Sequence, residues 1–137
     1  MNKAGEIIVV DDDQDDCELF SDALKAANVP NRVICFHNPL DAITYLEQEE
    51  ADPFVIFSDL RMSPINGFEF KQMIFAHEGL VKMAVPFILF SNTIDSPSFN
   101  TALAVGVQGF FCKPSSFNKL TDTVSLIINY FKLGFGD

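Results

Sequence analysis

The chain predicts a single α/β domain in which five strand-helix units surround a doubly wound parallel sheet, and three observations carry that prediction. Short apolar runs alternate with stretches of helical periodicity along the sequence, an order that calls for a parallel sheet, right-handed crossovers and helices on both faces. The runs are apolar at consecutive positions, as in strands covered on both sides. Four of them also end on reactive polar residues: Ile7 to Val10 on Asp11, Asp12 and Asp13, Phe54 to Phe57 on Ser58 and Asp59, Phe87 to Phe90 on Ser91, and Phe110 to Cys112 on Lys113. Ligands of open parallel sheets bind beyond the carboxyl ends of the strands, so these endings should converge on one site.

Glu6 to Val10 reads as the first strand. Asp13 is placed to cap a helix from Gln14 to about Ala27, with Asp15 and Asp16 in the first turn favoured by the helix dipole and Cys17, Phe20, Leu24 and Ala27 as its apolar stripe. Asn28-Val29-Pro30-Asn31 breaks that helix, and Arg32 to Phe36 follows as a short strand. Asn38 caps and Pro39 opens the second helix, which carries Leu40, Ile43 and Leu46. Phe54 to Ser58 is the third strand, and the Pro and Asn-Gly of Leu60 to Gly67 mark a loop. Phe70, Met73, Ile74 and His77 then recur at helical spacing.

Pro86 to Phe90 is the fourth strand; Ser96-Pro97 is placed to cap and start a helix bearing Phe99, Ala102 and Leu103, which stops at Gly106. Gly109 to Cys112 is the fifth strand. Phe117, Leu120, Val124, Ile127, Ile128 and Phe131 trace one face of a last helix that Gly134 should end.

With 137 residues the chain reads as one domain over 1–137, without an output domain, and its apolar fraction of 48% is enough to fill one core. Cys17, Cys35 and Cys112 have no metal-ligand spacing and read as small buried hydrophobes in a reducing compartment. No apolar run approaches the ~18 residues of a membrane span, and the start of the chain is too polar for a signal peptide, so a cytoplasmic protein is expected. A net charge of -10 argues against a nucleic-acid surface, which needs clustered cations. His37 and His77 share no ligand spacing and read as structural or exposed. Most of the 15 phenylalanines fall on core positions, which disfavours an aromatic cofactor box.

These residues give the chain its resemblance to the receiver domain of bacterial two-component response regulators, of which the chemotaxis-type regulator is the simplest example. The match spans essentially the whole length. It sets the family's acidic pair on Asp11 and Asp12, the phosphoacceptor on Asp59, the hydroxyl on Ser91 and the lysine on Lys113. Pro114 follows the lysine, as in the family, where that Lys-Pro bond is usually cis, and Gly67 falls on the family's glycine after the acceptor. Ser63 intervenes between Met62 and Pro64, where the family usually has Met-Pro, and Phe110 stands where Tyr is common.

The resemblance implies a flavodoxin-like fold with strand order 2-1-3-4-5, and a receiver that takes a phosphoryl group from a phosphohistidine of a histidine kinase or phosphotransfer protein onto Asp59, catalysing the transfer itself. Mg²⁺ would be held by Asp11, Asp12, Asp59 and the main-chain carbonyl of Arg61. Lys113 would bind the phosphoryl group and Ser91 would donate to one of its oxygens. Signalling would pass through protein contacts on the face from about 97 to 131, with Phe110 moving inward, and the Arg61 side chain would shield the phosphoryl group from water. The residue types suit this chemistry: phosphoryl transfer is mainly positioning and charge neutralisation, and carboxylates are hard ligands for Mg²⁺.

Two other readings, one of them an enzyme, fit less well. A haloacid-dehalogenase-like phosphatase needs a second acid where Arg61 stands, and a flavodoxin needs a phosphate loop where the acids follow the first strand. The alternative from another class is a receiver fold used as a phosphorylation-independent protein-binding module.

Overall fold

A computed structural model describes residues 2–134. Its elements are β1 (Glu6–Val10), α1 (Gln14–Ala26), β2 (Val33–Phe36), α2 (Pro39–Leu46), β3 (Pro53–Asp59), α3 (Gly67–Ala76), α4 (Glu78–Val81), β4 (Phe87–Ser91), α5 (Ser96–Val105), β5 (Gly109–Cys112) and α6 (Phe117–Gly134). The strands form one parallel sheet of order β2-β1-β3-β4-β5. This is the flavodoxin-like order that the resemblance implies.

Alternation along each strand divides the core into two layers. Ile7, Val9, Phe57 and Phe90 pack with Phe20 of α1 and Val124 and Ile128 of α6, while Ile8, Val10, Ile56 and Leu89 pack with Leu46 of α2 and Phe70 of α3. β3 is buried at all seven positions, so its unbroken apolar run needs no alternation. Phe54, Phe57, Phe70, Phe87 and Phe90 are among the largest fully buried side chains. Burial of each contributes roughly 1.5–3 kcal/mol, which accounts for much of the phenylalanine content by packing alone.

Local chemistry sets the helix ends. Asp13 accepts from the amides of Asp15 and Asp16, and Asn38 accepts from Leu40 ahead of Pro39. Asn66 and Glu69 form a reciprocal capping box at the start of α3. Gly106 ends α5 at φ +75°, a left-handed conformation natural to glycine.

Several expectations are corrected. Ser96 does not cap α5: Asp95 does, accepting from the Ser98 amide, which moves Ser96 and Pro97 into the first turn. His77 does not continue α3. It turns extended, ends that helix and caps the short α4 by accepting the Leu80 amide at Nδ1, so the domain has six helices among the described residues. Of the apolar residues that the sequence sets on this helix, Phe99 and Leu103 are 45% and 68% exposed, because α5 buries only Ala102. Of the cysteines only Cys17 is buried; Cys35 is half-buried and Cys112 exposed, since β5 lies at the sheet edge. The cis X-Pro bond among the described residues is Ser63–Pro64, not Lys113–Pro114. Gly134 is the last described residue of α6, so its expected role as terminator concerns what lies outside the described residues.

Candidate functional site

The carboxyl ends of β1, β3, β4 and β5 lie side by side, and the sheet register brings their polar residues together. Val10 pairs with Ser58, Asp59 with Phe90, and Ser91 with Cys112. Asp11 extends β1 by donating its amide to the Phe36 carbonyl, and Lys113 extends β5 by donating its amide to the Ser91 carbonyl. Each functional side chain therefore stands at or one step beyond the end of a buried strand. Gly67 allows α3 to begin against this edge: its amide donates to the Leu60 carbonyl at 2.8 Å.

Asp11, Asp12 and Asp59 each offer an oxygen within 4.8 Å of the others. Asp11 and Asp59 are buried, whereas Asp12 is exposed. Like charges at such separations repel by on the order of 3 kcal/mol per pair at an effective dielectric of about 20. Burial, with the charge of Asp59 adding to it, pushes the Asp11 carboxyl up to about 6, against the pull of the Asp13 amide and Lys113. Burial also raises Asp59, opposed by Lys113 and reinforced by Asp12. A hard divalent cation suits three such oxygens, so the residues fit a Mg²⁺-type ion.

Lys113 supplies the buried positive charge. Its side chain is 12% exposed, and Nζ lies 2.8 Å from Asp16 Oδ2, 3.0 Å from Asp11 Oδ2 and 3.4 Å from Asp59 Oδ1. Burial alone would lower its pKa, but the three acids outweigh it and the ammonium is held above the usual lysine range. Ser91 Oγ is fully buried and has no hydrogen-bond partner among the described residues. A buried orphan hydroxyl costs about 1–3 kcal/mol, so at the end of β4, beside the strand that ends on Asp59, it calls for an acceptor.

The five side chains singled out from sequence thus gather in one place. Arg61 is different: its side chain is exposed, and its charge acts on Asp95, whose carboxyl is held low first by the Ser98 amide and less by Arg61. Two contributors were missed. Asp16, by sequence a first-turn acid favoured by the helix dipole, reaches Lys113; the signal is its spacing, four residues before buried Phe20 on the same side of α1. His37, set apart from the strand ends, directly follows β2, and its Nδ1 lies 3.2 Å from the Asp11 carbonyl oxygen.

Comparison with known proteins agrees with this geometry. The family model described as the response regulator receiver domain matches residues 7–125. A search of curated proteins finds no match. Among solved structures, the phosphorylated cyanobacterial phytochrome response regulator RcpA superposes with a TM-score of 0.83 at 22% identity, covering 95% of each chain. The Mn(2+)-bound form of response regulator Rcp1 gives 0.78 at 20% identity over 93% of this chain and 94% of its own. Chemotaxis response regulator CheY4 of Vibrio cholerae gives 0.73 at 23% identity over 90% and 98%. At these identities the superpositions establish the fold.

Proposed function

Because this chain belongs to the response regulator receiver domain family, we propose that it accepts a phosphoryl group on Asp59 from the phosphohistidine of a histidine kinase or phosphotransfer protein, and signals through protein contacts. An Asp59 carboxylate oxygen attacks phosphorus as the phosphorus–nitrogen bond breaks and its electron pair passes to the ring nitrogen; with the donor's other ring nitrogen already protonated, this leaves an aspartyl phosphate on this chain and a neutral imidazole on the donor. Asp11, Asp12 and Asp59, with the main-chain carbonyl of Arg61, would hold Mg²⁺, whose chemistry is to neutralise charge on the phosphoryl oxygens. Lys113 binds those oxygens, and Ser91 donates its hydroxyl to one of them.

The observation that carries this reading is the Lys113 ammonium 3.4 Å from Asp59 Oδ1, inside a buried group of acids. An acceptor carboxylate needs a fixed cation in place before negative charge arrives, because a preorganised charge need not be assembled during the reaction. The unpartnered Ser91 hydroxyl is in keeping with it. So are two fold relatives, one solved phosphorylated and one bound to Mn(2+).

Incubation with acetyl phosphate and Mg²⁺ followed by intact mass tests it. A gain of one phosphoryl group in wild type and none in Asp59→Asn is expected; no gain in wild type overturns the reading. The alternative is a phosphorylation-independent binding module, favoured by one feature: α5 presents Phe99 and Leu103 to solvent. We assign these reactions to the cytoplasm, where a histidine kinase would present its phosphohistidine; no helix among the described residues is long and apolar enough to cross a membrane.

A further inference from the structure

The shortest contact of the Lys113 ammonium is with Asp16, on the first turn of α1, and not with an acid of the strand-end cluster. Asp16 does not belong to the group of acids that can share a cation with Asp59. An ammonium has three N–H donors. Here hydrogen bonds run to Asp16 at 2.8 Å and Asp11 at 3.0 Å, while Asp59 lies farther off at 3.4 Å. The cation that faces the acceptor is thus held mainly by its neighbours.

Resting on the reading that Lys113 holds the phosphoryl group, we propose that Asp16 is a positioning residue that competes with that group for Lys113 and so restrains phosphorylation of Asp59. Phosphoryl oxygens on Asp59 need N–H donors, and two of the three that Lys113 carries are given to Asp16 and Asp11. The charge of Asp11 is offset by the divalent ion it would help to hold. Asp16 stands outside that set, keeps its charge, and draws the ammonium back toward α1. Its 32% exposure leaves it partly screened, so the competition is a bias and not a lock.

Beryllofluoride, a phosphoryl mimic, tests this at saturating Mg²⁺ with wild type, Asp16→Asn and Asp15→Asn. Asp15 is an exposed acid of the same helix turn without a contact to Lys113, so its variant controls for loss of charge and of helix-dipole support. Asp16→Asn should bind beryllofluoride about tenfold more tightly, equivalent to about 1.4 kcal/mol, and should accept phosphoryl groups faster from acetyl phosphate. Asp15→Asn should match wild type. Equal tightening in both variants, or weaker binding in Asp16→Asn, overturns the proposal. Should wild type bind no beryllofluoride, the phosphoryl reading fails by itself, and Asp16 is judged on the free protein. There the Lys113 ammonium resonance should shift and exchange faster in Asp16→Asn only; an unchanged resonance overturns the contact on which the proposal rests.

Discussion

Gly67 approaches Asp59 so closely that a Cβ at position 67 would lie 2.6 Å from the Asp59 carbonyl oxygen. It would also meet a Leu89 methyl at 2.5 Å, but a side chain can rotate away, whereas the backbone of a fully buried strand cannot. Gly67→Ala should therefore destabilise the fold by about 1–3 kcal/mol, as overpacking does. It should also displace the loop from Leu60 to Asn66. Urea unfolding measures the first effect; a variant as stable as wild type would show that α3 shifts freely at this point.

The clustered carboxylates predict stabilisation by metal. Mg²⁺ at ~10 times its dissociation constant should add about 1.4 kcal/mol to the stability, read as a rise in melting temperature. Asp12→Asn should lose most of that rise, since Asp12 is the exposed member of the cluster and leaves the buried core intact. An undiminished response in the variant would remove Asp12 from the ion's ligands.

The Asp11 carboxyl sets a pH dependence in the metal-free protein. Its folded value of about 6 lies above the ordinary aspartate value of 3.8, so between these limits the folded state holds the proton more firmly than the unfolded state. Stability from this group is then present at low pH and falls as pH rises through about 6, by roughly 3 kcal/mol for a displacement of this size. Unfolding in EDTA at pH 5 and pH 7 should show the decline, and Asp11→Asn should flatten it. Equal slopes in the two proteins would assign the effect to other groups. Mg²⁺ competes with that proton, so its stabilising effect should grow over the same interval.

Arg61 sets the lifetime of the phosphoryl group in our proposal. A planar, permanently charged side chain two residues past the acceptor can pair with phosphoryl oxygens and cover the approach of water. The alternative partner is Asp95, whose carboxyl already responds to the Arg61 charge; both side chains are exposed, and solvent screening leaves such an attraction too weak to hold the arginine back. Arg61→Ala should speed hydrolysis up to about tenfold, equivalent to a barrier lower by about 1.4 kcal/mol. A half-life equal to or longer than wild type at the same Mg²⁺ concentration would rule out shielding.

Phe110 is half-buried, edge-on to Phe68 at 6.2 Å, and borders a cavity of about 230 Å³ with Ile94, Phe99 and Leu103. In our proposal the ring moves inward when Ser91 is drawn toward a phosphoryl group. Beryllofluoride should then shift amide resonances along residues 97–131 in addition to those around Asp59. Shifts confined to the acceptor's neighbours would count against propagation to this face.

The sheet and the four reactive strand ends were legible from sequence because each depends on local grammar. Strands buried on both sides need unbroken apolar runs, caps need short polar side chains, and Asp11, Asp12, Asp59, Ser91 and Lys113 each follow directly from where a run stops. What remained hidden depends on distances between elements. His77 fits a helical period, and only its pairing with Glu47 at 3.1 Å and its acceptance of the Leu80 amide make it the break between α3 and α4. Phe99 and Leu103 carry an apolar period as good as a buried one, but β5 is the last strand and nothing further among the described residues covers that side of α5. Asp16 is chemically an ordinary first-turn acid; its reach to a lysine 97 residues away exists because the parallel register sets the end of β5 beside the start of α1. Periodicity reports which side of an element is apolar, whereas the partner of a charge is decided by packing between segments far apart in the chain.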